Sequence, residues 1–102
     1  APTLSVQNLT NPGNLTSISN PSARLQFNVT SSSINRNVWV CVYRIKCITG
    51  YKTNSRGQAS IILTAGTLVK FAGTYDVFVH VQDPVQENSY SASNMVRIRT
   101  TY

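Results

Sequence analysis

Apolar and polar residues alternate with a period of two over most of the chain, and short groups of turn residues interrupt the alternation. Asn11-Pro12-Gly13, Asn20-Pro21 and Asp83-Pro84 are three of these interruptions. No segment shows a convincing 3.6-residue period of an amphipathic helix. The pattern predicts an all-β fold with strands at residues 3–9, 23–30, 37–45, 50–54, 59–64, 74–82 and 92–100.

The predicted strands are short and numerous, which is typical of a β-sandwich. A chain of 102 residues is long enough for one hydrophobic core and too short for two. We therefore expect a single domain spanning residues 1–102, with about seven antiparallel strands. Residues 1–12 end in a turn signal, so they provide either strand A of this sandwich or a donor strand that pairs with a neighbour.

The spacing of a few core residues resembles the immunoglobulin-like superfamily. In that family a core residue of strand B is followed about a dozen positions later by a Trp of strand C, and strand F carries Gly-x-Tyr-x-Cys. Phe27 and Trp39 have this spacing, and residues 73–77 match the strand F motif with Val77 in place of Cys. The resemblance is to the wider superfamily, because Phe27 and Val77 replace the cysteines of antibody domains. It implies a core signature of Phe27, Trp39, Tyr75 and Val77.

A second resemblance concerns two shorter segments. Residues 54–61 contain a turn followed by Gly-x-Ala-x-Ile, and residues 72–77 contain Gly-Thr-Tyr-x-Val. Together they are similar to a signature of microbial cell-surface immunoglobulin-like modules. The implied setting is a prokaryotic cell surface.

The only two cysteines, Cys41 and Cys47, lie within one predicted strand. A straight strand would place their Cα atoms about 20 Å apart, whereas the Cα atoms of a disulfide usually lie roughly 4.4 to 6.8 Å apart. Two cysteines in a secreted chain favour pairing. We therefore predict a disulfide, and with it a break of the strand within Val42 to Lys46. Two unpaired, buried thiols are the alternative.

Composition predicts an extracellular protein. Charged residues make up 12% of the chain, about half of the roughly 25% that is usual, and Asn, Ser, Thr and Gln supply the polar surface instead. The chain begins at Ala1 without Met, as expected of a mature protein after signal-peptide cleavage. No apolar run approaches the roughly 20 residues of a membrane span. Three Asn-x-Thr sequons predict glycosylation at Asn8, Asn14 and Asn28.

Residues suited to catalysis are few. His80 is the only histidine, and Asp76, Asp83 and Glu87 are the only acids. Asp76 and His80 would lie about 13 Å apart in an extended strand, too far for a hydrogen-bonded dyad. The spacing of the cysteines is poor for a metal site. We therefore expect a protein that is not an enzyme, with no catalytic residue, cofactor or metal ligand.

The net charge of +6 comes from nine basic residues that are scattered along the chain. They form no run and alternate with no aromatic platform, so we expect no nucleic-acid partner. Arg44 with Lys46, and Arg97 with Arg99, share strand faces and could attract an anionic surface or glycan.

These features favour a non-catalytic structural or interaction role. The leading hypothesis is a subunit of a cell-surface filament or layer that pairs with copies of itself by β-strand addition, with Thr3 to Leu9 as the donor strand. The alternative is a secreted module that binds carbohydrate or protein through exposed aromatic rings, with Trp39 and the tyrosines at 43, 51, 90 and 102 as candidates. We expect Trp39 to be buried, which weakens the alternative.

Overall fold

A computed structural model describes all 102 residues, which form eight strands and one short helix. The elements in chain order are β1 (Thr3–Asn8), β2 (Arg24–Thr30), β3 (Asn37–Val42), β4 (Lys46–Lys52), β5 (Gln58–Thr64), α1 (Ala65–Leu68), β6 (Gly73–Gln82), β7 (Tyr90–Ala92) and β8 (Val96–Thr100). The all-β class is confirmed.

The strands form two antiparallel sheets that pack as a sandwich. One sheet has three strands in the order β1-β2-β5. The other has five strands in the order β4-β3-β6, with β7 and β8 both paired to β6. β6 has ten residues, is the longest strand and is the centre of the second sheet.

The structure has eight strands where the sequence predicted about seven, because the predicted strand at residues 92–100 is split. β7 pairs with the end of β6 and β8 with its beginning. Between them the Ser93 N–H donates to the Val79 carbonyl at 2.9 Å, and the Ser93 hydroxyl accepts from the Val79 N–H at 3.0 Å. The Ser93 hydroxyl thus takes the place of a backbone carbonyl as the acceptor for Val79. The chain is outside the sheet from residue 93 to residue 95.

The core lies between the sheets and takes residues from β1, β2, β3, β5, β6 and β8, whereas β4 and β7 contribute no fully buried side chain. Phe27 of β2 and Val77 of β6 have no exposed surface. Tyr75 packs at the edge of the same cluster. In β3 the inward residues are Val38, Val40 and Val42.

Trp39 differs from its expected place in the core. It is partly exposed and points away from the valine side of β3. Both faces of β3 are apolar in sequence, so alternation alone could not decide which one is buried. The valine face packs inward because Val38, Val40 and Val42 pair directly with Val81, Val79 and Val77 of β6, which also face the core.

Tyr75 joins the start of β6 to the segment before it. Its hydroxyl donates to the Phe71 carbonyl at 2.8 Å, and the Thr100 hydroxyl donates to the same oxygen at 2.8 Å. A Cβ at Gly73 would lie 3.1 to 3.3 Å from the Tyr75 ring and hydroxyl. Glycine at this position therefore leaves the space that the Tyr75 side chain occupies.

The predicted disulfide and strand break are confirmed. β3 ends at Val42, residues 43–45 form a turn with Arg44 at a φ of 62°, and β4 begins at Lys46. The turn brings Cys47 directly opposite Cys41, with their Cα atoms 4.0 Å apart and the two sulfurs bonded. The bond therefore fastens the hairpin of β3 and β4.

The first strand belongs to its own sandwich in this structure. β1 pairs with β2 through six residue pairs, from Thr3 opposite Thr30 to Asn8 opposite Leu25. The Asn94 side chain also accepts from the Leu4 N–H at 2.9 Å and donates to the Leu4 carbonyl at 3.0 Å. Within the single chain, residues 3–8 therefore have the position of a first strand of the sandwich.

Replacing Tyr75 by Phe should lower the free energy of unfolding by about 0.5 to 1.5 kcal/mol, because one hydrogen bond is lost. The Phe71 carbonyl keeps its bond from Thr100, so no buried acceptor is left without a partner. Urea unfolding measures the change. Tyr43→Phe is the matched control, since Tyr43 is 46% exposed and should leave stability unchanged. Equal losses in the two variants would contradict this role of the Tyr75 hydroxyl.

Candidate binding face on the five-stranded sheet

Trp39 is the centre of an aromatic group on the outer surface of the five-stranded sheet. Its ring packs against Tyr90 of β7 with centroids 4.6 Å apart, and meets His80 of β6 edge-on at 6.5 Å. Phe78 contacts the His80 ring edge-on at 5.1 Å. We call these four side chains, Trp39, Phe78, His80 and Tyr90, the aromatic face.

The aromatic face is partly exposed and rigidly supported. All four side chains have intermediate burial. Three of them stand on β3 and β6, which are the central pair of the sheet, and Trp39 lies directly opposite His80 in the strand register. Aromatic side chains have few rotatable bonds, so such a surface loses little entropy when a ligand covers it.

The disulfide adjoins this surface. Cys41 lies opposite Phe78 in the register and is fully buried, whereas Cys47 is exposed. The two sulfurs and a ring nitrogen of His80 lie within 4.8 Å of one another. Both sulfurs are bonded to each other, so neither is a thiolate that could coordinate a metal. The disulfide is therefore a covalent support beneath and beside the aromatic face.

Positive charge borders the aromatic face on one side. Arg97 and Arg99 of β8 stand on the same outer surface, opposite Asp76 and Thr74. Arg97 donates to the Asp76 carboxylate at 3.2 Å, in an ion pair that is largely open to water. Such exposed pairs contribute little to stability. Arg99 forms no ion pair, so the border keeps a free cation.

The acidic residues and the histidine do not converge. Asp76 is engaged with Arg97, while Asp83 and Glu87 lie in the loop after β6. The nearest aromatic neighbours of His80 are Trp39 and Phe78. His80 therefore lies beside two aromatic rings and the disulfide.

The three sequons lie in different surroundings. Asn8 is only 3% exposed, its Nδ2 donates to the Asn14 carbonyl at 2.9 Å, and its Oδ1 accepts from two backbone N–H groups. A glycan is attached at Nδ2, so glycosylation of Asn8 would conflict with the burial of this side chain, and the sequon at Asn8 is the least accessible of the three. Asn14 and Asn28 are partly exposed.

Comparison with protein families, curated proteins and solved structures finds no match to this chain. The structure contains no helix with the length and hydrophobicity to cross a bilayer.

Sequence reasoning overlooked one member of the aromatic face, Phe78, and named Tyr90 as a candidate without placing it. Phe78 is an apolar residue on the side of β6 that also carries Asp76 and Gln82, and an apolar ring at an outward position was the available signal. Tyr90 could not be placed, because the predicted last strand began at residue 92 and β7 begins two residues earlier.

Mass spectrometry of the protein from a glycosylating host should find Asn8 unmodified. The reason is the buried, hydrogen-bonded Nδ2 of Asn8. Asn28 is the internal comparison, because it is half-buried on the outer side of β2 and forms no side-chain hydrogen bond. A glycan at Asn8 in the folded, monodisperse protein would contradict this placement.

Asp83 should contribute an acid-sensitive share of stability. Its carboxylate accepts from the N–H groups of Gln86 and Val85 at 2.8 Å each. These bonds, with Gln86 first, hold the pKa of Asp83 below its ordinary 3.8, and Arg36 acts in the same direction. A pKa that is lower in the folded state than in the unfolded state stabilises the fold at pH values above the unfolded-state pKa. This contribution is lost as the pH falls through the folded-state pKa.

Asp83→Asn tests this, because the amide oxygen can still accept both bonds without carrying charge. The stability difference between the natural protein and the variant, measured by urea unfolding, should be largest near neutral pH and shrink in acid. A difference that is independent of pH would contradict the assignment.

Proposed function

We propose that the protein is a non-catalytic extracellular binding module whose aromatic face recognises an acidic polysaccharide. The observation that carries the proposal is the outward position of Trp39, which lies partly exposed in contact with Tyr90 on a rigid sheet. Flat aromatic rings stack on the apolar faces of sugars.

Charge supports an acidic ligand. The face is bordered by Arg97 and Arg99, and Asp76 is its one carboxylate. The whole chain carries +6 with only three acids. A polymer with carboxylate or sulfate groups would be attracted over a distance and could pair with the guanidinium groups after stacking.

The extracellular setting is supported by the disulfide, since such bonds persist in oxidising compartments. An immunoglobulin-like origin is supported by Tyr75. Its hydroxyl bonds a carbonyl four residues upstream, near the start of β6 and two residues before Val77. This arrangement is similar to the tyrosine corner of immunoglobulin domains.

Strand addition by residues 3–9 has less support than binding through the aromatic face. Donation of β1 to a neighbour would break its six pairs with β2 and the two bonds between Leu4 and Asn94. We therefore favour the binding module.

Affinity electrophoresis through gels that contain polygalacturonate, heparin or neutral dextran tests the proposal. The protein should be retarded by the acidic polymers, and Trp39→Ala should weaken this binding at least about tenfold, as expected for a central aromatic contact. Arg99→Gln should weaken it less and make it less sensitive to salt. Trp39 is the only tryptophan, so quenching of its fluorescence by the acidic polymers should report the same contact directly.

Ile62→Ser is the matched control, because Ile62 is a 46% exposed apolar residue on the other sheet. Its binding should equal that of the natural protein. Undiminished retardation of a folded Trp39→Ala variant would overturn the proposal. Binding of a purified protein ligand at Trp39, without polysaccharide binding, would assign the face to a protein partner.

A further inference from the structure

One end of the sandwich carries an apolar groove of about 300 Å³. Leu68 and Val69 form its buried floor, whereas Ile45 and Phe71 are 57% and 76% exposed at its rim. Lys46, Lys70 and Tyr75 complete the lining. We call Ile45, Leu68, Val69 and Phe71, with Lys46 and Lys70, the apolar groove.

The loop after β6 presents the most exposed large apolar side chain of the protein. Val85 is 84% exposed at the tip of residues 83–89, which we call the Val85 loop. The Asp83 carboxylate holds the N–H groups of Val85 and Gln86, and Arg36 donates to the Pro84 carbonyl at 2.9 Å. The loop is thus ordered before any partner binds.

The groove and the loop lie at opposite ends of the molecule. β6 connects them, since Phe71 precedes its first residue and Val85 follows its last. Ten residues of strand span about 33 Å, and the longest dimension of the molecule is 41 Å. The loop therefore cannot reach the groove of its own chain.

The residues of the loop and those of the groove also differ in charge. Asp83 and Glu87, two of the three acids, lie in the Val85 loop, and the third acid is paired with Arg97. Lys46 and Lys70 line the groove, and Arg44 lies in the adjacent turn. Arg36 is the cation closest to the loop, and its guanidinium is turned back onto Pro84.

We propose that the Val85 loop of one copy docks in the apolar groove of the next, so that the protein associates head to tail. The groove has room for about ten waters at their liquid volume, which is enough for the side chains of Pro84 and Val85. The carboxylates beside Val85 would then meet the lysines beside the groove. This contact goes beyond polysaccharide binding, because it uses no residue of the aromatic face.

The contact is heterologous, since it joins two different surfaces, and repetition of it produces an open chain or a ring. The end of the molecule measures only 25 × 20 Å, so each contact is small. Small interfaces are typically weak. Association should therefore depend on protein concentration and decrease as salt screens the charges.

Sedimentation velocity over a concentration series tests the proposal with Phe71→Ser and Val85→Ser. Each variant should associate at least tenfold more weakly than the natural protein. An equimolar mixture should form a heterodimer and nothing larger, because Phe71→Ser retains an intact loop and Val85→Ser retains an intact groove. Circular dichroism and thermal unfolding verify that both variants fold.

Ile62→Ser, again the control, should associate like the natural protein. A natural protein that stays monomeric at low salt and high concentration would overturn the proposal. A mixture of the two variants that forms no heterodimer would also overturn it, because the intact loop of one variant would then not bind the intact groove of the other. Loss of association in Ile62→Ser would indicate non-specific adhesion and would also overturn it. None of these outcomes bears on Trp39, so polysaccharide binding is tested separately.

Discussion

The pairing of three valines of β3 with three valines of β6 determines how the rest of the five-stranded sheet is arranged. These residues form the inner side of the two central strands and are almost completely buried. Side chains alternate along a strand, so burial of this row turns every intervening residue outward. Trp39 on β3, and Phe78 and His80 on β6, are partly exposed for this reason, whereas Cys41 lies on the same outward side of β3 but is covered.

The position of the disulfide also depends on which face of β3 is turned towards the core. Cys41 is on the outward side of β3, so its partner must come from the outer side of an adjacent strand, and the turn at residues 43–45 supplies Cys47 there. A disulfide through the core would instead have had to join the two sheets. The bond therefore stiffens an edge hairpin beside the aromatic face, and the hydrophobic core holds the sheets together.

Much of the fold could be predicted from sequence, because it depends on local rules. Alternation and turn residues located most strands, and the geometry of a disulfide predicted a break within Val42 to Lys46, where β3 ends and β4 begins. The face of β3 could not be predicted, since Val38 and Trp39 are both apolar and only their partners across the sheet decide between them. The burial of Asn8 was equally inaccessible, because it depends on a hydrogen bond that the chain forms only after it has turned back at residue 14.

The length of β6 separates the apolar groove from the Val85 loop, and the aromatic face lies between them. Its outward side carries half of the aromatic face, while its two ends lead to the apolar groove and to the Val85 loop. A head-to-tail contact would leave the aromatic face uncovered on every copy. A chain of weakly associated copies would present that face repeatedly, and a repeating polysaccharide offers matching sites. Weak contacts at each site would then combine into stronger attachment, because every later contact forms at a high effective concentration.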